Sequence, residues 1–467
     1  MSLKSKPYAW VPSLYVAEAL PYVAVMVIAT TMYKRMGLSN TDLALYTSWL
    51  YLPWVIKPLW SPFVAAIKTE RWWVLLMQLL IGAGFAGIAL TLPTSGWLQG
   101  SLAFFWLLAF ASATHDIAAD GLYIIGLDTH DQSLYVGIRS TFYRIGNILG
   151  QGLLVMLAGW LEKSHKVSTA WSIAFLILAG LFLALWLWHS VALPKKAPVR
   201  AGTEASEKSD YSEKSEKSEK SELSENSEYS ENSENSENSE YSEFSQSSNS
   251  PSASAASAFW LALKTFFTKP HIIPALLFML LFRFPEGQLV KIANPFMLDT
   301  VEAGGLGLST ETVGFVYGTI GIIGLTLGGL LGGWCVSRHG LKRWMWPMVA
   351  AISLPDLVYV YMASAEPSLV MVNVCVFVEQ FGYGFVFTAY MLYLVYFSQG
   401  ERSTAVFSIC TAFQALGMML PGMLAGWMAD HLGYLNFFWW VVGCCLVTFV
   451  VSAFVKIDPA YGRESKE

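Results

Sequence analysis

The sequence predicts an all-α polytopic membrane protein with twelve transmembrane helices in two six-helix halves. Three observations predict it. The chain is 54% hydrophobic and 13% charged, where a soluble protein carries about 25% charged residues. Twelve apolar stretches each approach or exceed the roughly 20 residues that cross a bilayer. A Ser/Glu repeat then divides those stretches six and six. So much apolar surface cannot be hidden inside soluble globules of ordinary size, and lipid is the solvent that accepts it.

The first six stretches run over 11–33, 42–66, 72–92, 99–126, 134–160 and 168–192. Lys4 and Lys6 precede them, and no small-residue cleavage site follows the first run. That run reads as a retained helix, not a removed signal. Residues 197–256 read as a disordered linker. Triplets such as SEKSEKSEKSE and SENSENSENSE offer few apolar groups and many like charges, which cannot offset the entropy of ordering. The N-terminal half is therefore 1–196 and the C-terminal half 257–467. The second half opens on an amphipathic segment, SAFWLALKTFFTK at 257–269, suited to the membrane interface. Its six stretches run over 271–297, 310–336, 343–363, 368–397, 403–428 and 432–456.

The net charge of −5 conceals a division. Glu204 to Glu243 hold fourteen acidic residues and four Lys, a local balance of −10, so the rest of the chain is +5. A mildly basic body suits membrane loops and lacks the clustered cations of a nucleic-acid surface. With both termini inside, inner loops and ends carry sixteen Lys and Arg, from Lys4 to Lys466. The outer loops carry four: Lys34, Arg35, Lys163 and Lys166. The positive-inside rule then places both termini in the cytoplasm. The five cysteines all sit in apolar runs without a C-x-x-C pair and read as packing residues. No Walker loop, nucleophile elbow or H-E-x-x-H motif is present, so neither ATP drive nor an enzyme is expected, and no cofactor or metal.

Ionisable residues inside spanning helices are expensive and are functional candidates by default. They are Glu18; Lys57; His115, Asp116 and Asp120; Arg139 and Arg144; Arg283, Glu286 and Lys291; Asp356; and Glu379. Asp116 and Asp120 are four apart and share a helix face. Two readings compete for them. They pair with Arg139 and Arg144 and lock neighbouring helices, or they line a cavity that binds an anionic or peptide-bearing solute and carries a coupling proton. Lys57 lies between Pro53 and Pro58 with no carboxylate nearby in sequence. It holds a substrate carboxylate or phosphate, or pairs with a distant group such as Glu18. Glu286 follows Pro285 in a run that also holds Gly287 and Pro295, the composition of a broken, site-lining helix. Asp128 and Asp131 read as solvated loop charges, and His115 as a lone packing imidazole. Gly314, Gly318, Gly321, Gly324, Gly328 and Gly332 recur at helical spacing and read as a helix-contact face, as do Gly146, Gly150 and Gly152. Tyr143, Tyr383 and Tyr390 are aromatics that either stack on a sugar ring or pack.

Four passages carry a family resemblance: ALP at 19–21, KPLWSP at 57–62, HDIAADGL at 115–122 with YRIG at 143–146, and the stretch from FVEQFGYG at 377–384 to GMLAGW at 422–427. Through them the chain resembles the AmpG-type muropeptide permeases and the related peptide–acetyl-coenzyme A transporters of the major facilitator superfamily. The resemblance implies that superfamily's fold and proton-driven symport of anhydro-muropeptides, cell-wall fragments recycled across the bacterial inner membrane. By motif match it points to Lys57, Asp116, Asp120 and Arg144. The family's acidic residue after W-S-P is missing: Ala65 stands near its place, and Glu70 is the nearest substitute. No extra helix pair of the fourteen-helix members is found. Another solute, such as acetyl-coenzyme A, a sugar or a siderophore, and a non-transporting sensor remain alternatives. The expected partners are a small-molecule solute, protons and the lipid bilayer, with the chain acting as a monomer.

Overall fold

The computed structural model describes residues 6–127, 129–195, 251–365, 367–400, 402–459 and 461–462. The expected linker over 197–250 and the side chains of Asp128 and Asp131 lie outside that description. The first half contains α1 (Pro7–Arg35), α2 (Asn40–Trp49 and Leu52–Ile67), α3 (Glu70–Thr91), α4 (Trp97–Gly126), α5 (Thr129–Asn147 continuing through Leu154 to Glu162) and α6 (Val167–Ala192). The second contains α7 (Ile272–Leu298), α8 (Thr310–His339), α9 (Leu341–Ala365), α10 (Leu369–Ser398), α11 (Ser403–Leu432) and α12 (Tyr434–Ala453). Eleven of these are long and apolar enough to span a bilayer. The twelfth, α2, is broken at Leu50 and Tyr51, which divides its length into two shorter pieces.

Short polar caps set several starts. Ser39, Thr69 and Ser309 accept the N–H of Asp42, Trp72 and Thr312 at the heads of α2, α3 and α8. Single glycines with positive φ, Gly340 at 84° and Gly433 at 73°, turn α8 into α9 and α11 into α12. The amphipathic segment forms a helix over Pro251–Thr268. It therefore starts six residues inside the stretch expected to be disordered. Pro251 at the first turn and the alanines behind it favour that start. Phe266 anchors it, fully buried and stacked on Phe413 at 5.4 Å. The helix packs on α2 of the first half and α11 of the second.

Large apolar side chains face outward along the spans, among them Leu90, Leu183, Leu330, Val370 and Leu446. Only lipid makes that surface favourable. Exposed Trp160, Trp427 and Trp439 ring one end of the bundle, and Trp72, Trp188, Trp334 and Trp346 the other. These are the two aromatic belts of a membrane protein.

The two halves meet most tightly at the end remote from the chain termini. There Lys34 pairs with Asp299 at 2.7 Å and Lys163 pairs with Glu311. Thr310 donates to Glu162 at 2.7 Å, and the Thr41 hydroxyl to Asp430 at 2.7 Å. Nearer the middle, Asn294 donates to Thr31 at 3.2 Å and Lys291 to Thr47 at 3.0 Å. π-Helical turns in α1, α5 and α8 converge here. A Cβ on Gly318 would overlap the Gln151 carbonyl oxygen, and one on Gly426 that of Asn40. Glycine alone permits those approaches. The glycine face expected in α8 is thus a contact face. Gly318 meets α5, while Gly324, Gly328 and Gly332 meet α10. All five cysteines are free and buried.

These contacts predict that Gly318→Val opens the tight end. Overpacking of this kind costs about 1–3 kcal/mol. Spin labels at 163 and 311 are expected to move apart in pulsed electron–electron distance measurements. An unchanged distance distribution would show that the glycine contact does not hold the halves together.

Candidate functional site

Mid-membrane charges of the first half converge on one place. α1 brings Tyr15 and Glu18, α2 brings Lys57, α4 brings Asp116 and Asp120 on a shared face, and α5 brings Arg139. Lys57 forms an ion pair with Asp116, each side chain 23% exposed. Arg139 pairs with Asp120 at 2.8 Å. The guanidinium lies over the rings of Tyr15 at 4.6 Å and Tyr123 at 5.4 Å, and the Tyr15 hydroxyl donates to Asp120 at 3.3 Å. Glu18 is buried against the two aspartates, and its Oε2 has no hydrogen-bond partner. Three carboxyls therefore face two cations. With all five ionised the cluster carries one negative charge, which a single proton cancels.

This differs from the expected pairing. Asp120 takes Arg139, but Asp116 takes Lys57, because Lys57 on α2 faces α4 directly. Glu18 is not the partner of Lys57, and Lys57 is not free to hold a solute carboxylate while paired. Arg144 pairs with no carboxylate among the described residues. Its Nη1 is buried without a partner. Its Nη2 reaches α8, 3.3 Å from where a Gly329 Cβ would stand. Glu70 leans on Gly121 of α4, and its neighbour Arg71 donates to the carbonyls of Ser190 and Leu193, both at 2.5 Å. The C-terminal end of α6 is thereby capped.

His115 is not a lone imidazole. Its Nε2 lies 3.1 Å from Gln78 Nε2, which accordingly donates to it. Gln78 also bonds His189 Nδ1, with its oxygen at 3.0 Å. His189 Nε2 meets the Ser13 hydroxyl at 2.9 Å. This chain ties α4, α3, α6 and α1 together through side chains whose inner members are fully buried. Spacing alone does not bring Gln78 and His189 to His115, and no sequence signal announces the chain.

The second half is arranged differently. Glu286, Asp356 and Glu379 are all buried, and none makes an ion pair among the described residues. Glu379 accepts from Gln380 at 2.9 Å. Asp356 accepts from the Cys445 thiol at 3.2 Å. Glu286 and Asp356 come together beside Ser353 and Cys445. A cavity of only about 10 Å³ lies between the halves beside Thr31, Gln151, Asn294 and Tyr317. Arg283 stands at a break in α7, where Pro285 supplies no N–H. It donates to the Tyr383 hydroxyl. Tyr22 and Tyr51 of the first half lie within electrostatic reach of it. Tyr390, by contrast, is fully buried against Phe278 and Phe282 and donates to the Met279 carbonyl; it is a packing residue. Among the described residues, no group of three His, Cys, Asp or Glu side chains could hold a metal ion.

Comparison with known proteins agrees with this architecture. The family model described as Major Facilitator Superfamily matches residues 13–420 and 289–467. A provisionally named transporter, AmpG 4 of Rickettsia conorii (strain Malish 7), is 21% identical, and the match covers 95% of each chain. Among solved structures, a D-xylose–proton symporter is 13% identical with a TM-score of 0.65, covering 96% of this chain and 98% of that one. The nucleoside transporter NupG is 15% identical with a TM-score of 0.62, covering 98% of this chain and 100% of that one. At these identities the structures show the fold alone.

The pairing of Lys57 with Asp116 predicts a coupled pair of variants. Lys57→Ala strands a carboxylate and is expected to cost on the order of 3 kcal/mol. Adding Asp116→Asn should recover most of that loss, since the stranded charge is gone. Thermal unfolding followed by tryptophan fluorescence reads both. Additive losses would mean that the two side chains act independently.

Proposed function

The chain belongs to the major facilitator superfamily, and from that premise we propose that it is a proton-coupled importer of anhydro-muropeptides. One observation carries the coupling: Glu18, Asp116 and Asp120 confront Lys57 and Arg139, three carboxyls to two cations. Bringing one proton to Glu18 or its neighbours neutralises the cluster, and a neutral cluster crosses low-dielectric surroundings at far lower cost than a charged one. A proton and a solute then travel together because the half that carries them can rock only when its charge is cancelled.

The lysine and arginine bias supports cytoplasmic termini. The tight end, with Lys34–Asp299 and Lys163–Glu311, is then the periplasmic gate of a multi-pass protein in a bacterial inner membrane. In this arrangement the halves are shut towards the periplasm, as an importer is when it has released its cargo. The solute class rests on the AmpG name of the relative and on the KPLWSP and HDIAADGL passages. A cell-wall fragment joins sugar rings to a carboxylated peptide, and the interface between the halves offers both tyrosine faces and guanidinium groups. The two halves, 1–196 and 257–467, work as the rocking units, with the segment between them as their tether and the Pro251–Thr268 helix bridging them on the cytoplasmic side. The unit of transport is the monomer.

In proteoliposomes, an acidic exterior is expected to drive accumulation of anhydro-muramyl tripeptide. Glu18→Gln and Asp120→Asn should lose the stimulation by the gradient while retaining exchange of labelled for unlabelled solute. Uptake that ignores a protonophore would sink proton coupling.

A further inference from the structure

Lys57 is engaged by Asp116, so the solute's anionic group needs another partner. Three cations at membrane depth make no ion pair with a carboxylate among the described residues: Arg144, Arg283 and Lys291. Lys291 is 1% exposed and belongs to the closure between the halves, where it bonds Thr47 and sits over the Tyr51 ring at 4.8 Å. Arg144 extends between α8 and α10. Arg283 differs from both. It stands at the break in α7, halfway along the span, and its residue is 6% exposed.

A guanidinium carries five N–H donors and does not lose its charge in proteins. The Tyr383 hydroxyl accepts from one of them, and Nε has no partner. Its Cζ lies 5.1 Å from the centre of the Tyr383 ring and 5.4 Å from that of Phe387. These cation–π contacts hold the guanidinium in place while the Nε–H donor stays without a partner. Glu286, one turn along α7, is felt electrostatically but makes no ion pair among the described residues; it stands beside Asp356 instead. Tyr22 of α1 and Tyr51 at the break in α2, both from the other half, feel its charge, and the Tyr51 ring lies 4.8 Å from Lys291 of α7. Leaving such a group unsatisfied in a membrane interior costs several kcal/mol. A ligand that supplies two coplanar oxygens removes that cost.

We infer that Arg283 is the anion clamp of the solute site, taking a carboxylate of the cargo on its free edge while Tyr22, Tyr51 and Tyr383 surround the attached group. The clamp rests on the importer reading above and adds the chemical group recognised and the residue that recognises it. Because the tyrosines come from both halves, a bound carboxylate ties the halves together at mid-membrane. A neutral analogue lacks that tie.

The test is binding to purified full-length protein in lipid nanodiscs, with anhydro-muramyl tripeptide and the same molecule amidated at its carboxylates as probes. Wild type is expected to prefer the acid by roughly 10- to 100-fold, the usual range for hydrogen bonds to a charged group. Arg283→Met should abolish the preference by weakening the acid while leaving the amide unchanged. Arg283→Lys, which keeps the charge but not the fork, should retain part of it. Unfolding temperatures confirm that each variant is folded. A folded Arg283→Met that still prefers the acid overturns the clamp, as does a wild type that binds both probes equally; the importer reading survives either result. Binding of neither probe by wild type overturns both readings.

Discussion

At mid-membrane an unpaired charge costs several kcal/mol, and the first half of the bundle is organised by that cost. Lys57 on α2 and Asp116 on α4 cancel each other, as do Arg139 on α5 and Asp120 on α4. Since Asp116 and Asp120 share one face, α4 becomes the member against which α1, α2 and α5 are set. Glu18 completes the group from α1. The pairing is therefore structural wherever else it acts. It brings together four helices whose outward faces have no preference among themselves, being equally apolar. What makes the same group a candidate for coupling is its odd carboxyl, which the two cations do not cover.

Contacts between the halves are of another kind. At the tight end Lys34–Asp299 is largely buried, at 12% and 22% exposed, while Lys163–Glu311 keeps access to water, at 61% and 35%. Pairs of the latter sort contribute about 1 kcal/mol or less. Towards the middle the halves touch through glycine backbones and single hydrogen bonds such as Thr31–Asn294, which in membranes are worth about 1 kcal/mol each. Ion pairs hold the seam at one end only, whereas the charge cluster of the first half joins four helices of that half. A seam built that way can part without dismantling the cluster, which is the mechanical requirement of alternating access.

Much of this is legible in the sequence because membranes leave few choices. Twelve apolar stretches, the Ser/Glu tract and the intramembrane charges each follow from composition and length. The glycine series in α8 is legible because its spacing matches the helix. The partners are not. Nothing near Lys57 in the chain identifies Asp116, 59 positions on, since that contact depends on which face α2 turns towards α4. The chain from Ser13 through His189 and Gln78 to His115 has no local signature either; neutral polar residues in apolar helices look alike until the helices are packed. The breaks at Tyr51 and Arg283 are only half visible. Each has a proline two residues on, Pro53 and Pro285, yet a proline in an apolar run does not by itself tell a break from a kink, and the sequence at 42–66 reads as one span.

Those two breaks belong to opposite halves, and Tyr51 at one feels the charge of Arg283 at the other. A helix that breaks at membrane depth leaves backbone groups without intrahelical partners, and such backbone persists only where protein or a polar cavity covers it. At α7 the Thr448 hydroxyl donates to the Phe282 carbonyl at 2.9 Å, so the irregular backbone is satisfied from α12. The Arg283 side chain is not satisfied in the same way. The fold thus repairs the main chain at this point and leaves the guanidinium Nε without a partner. A purely structural arginine would show the reverse, its edge filled by a carboxylate as Arg139 is filled by Asp120. The contrast between these two arginines, one closed by its own half and one left open at the seam, distinguishes the group that holds the bundle together from the group placed to meet a solute.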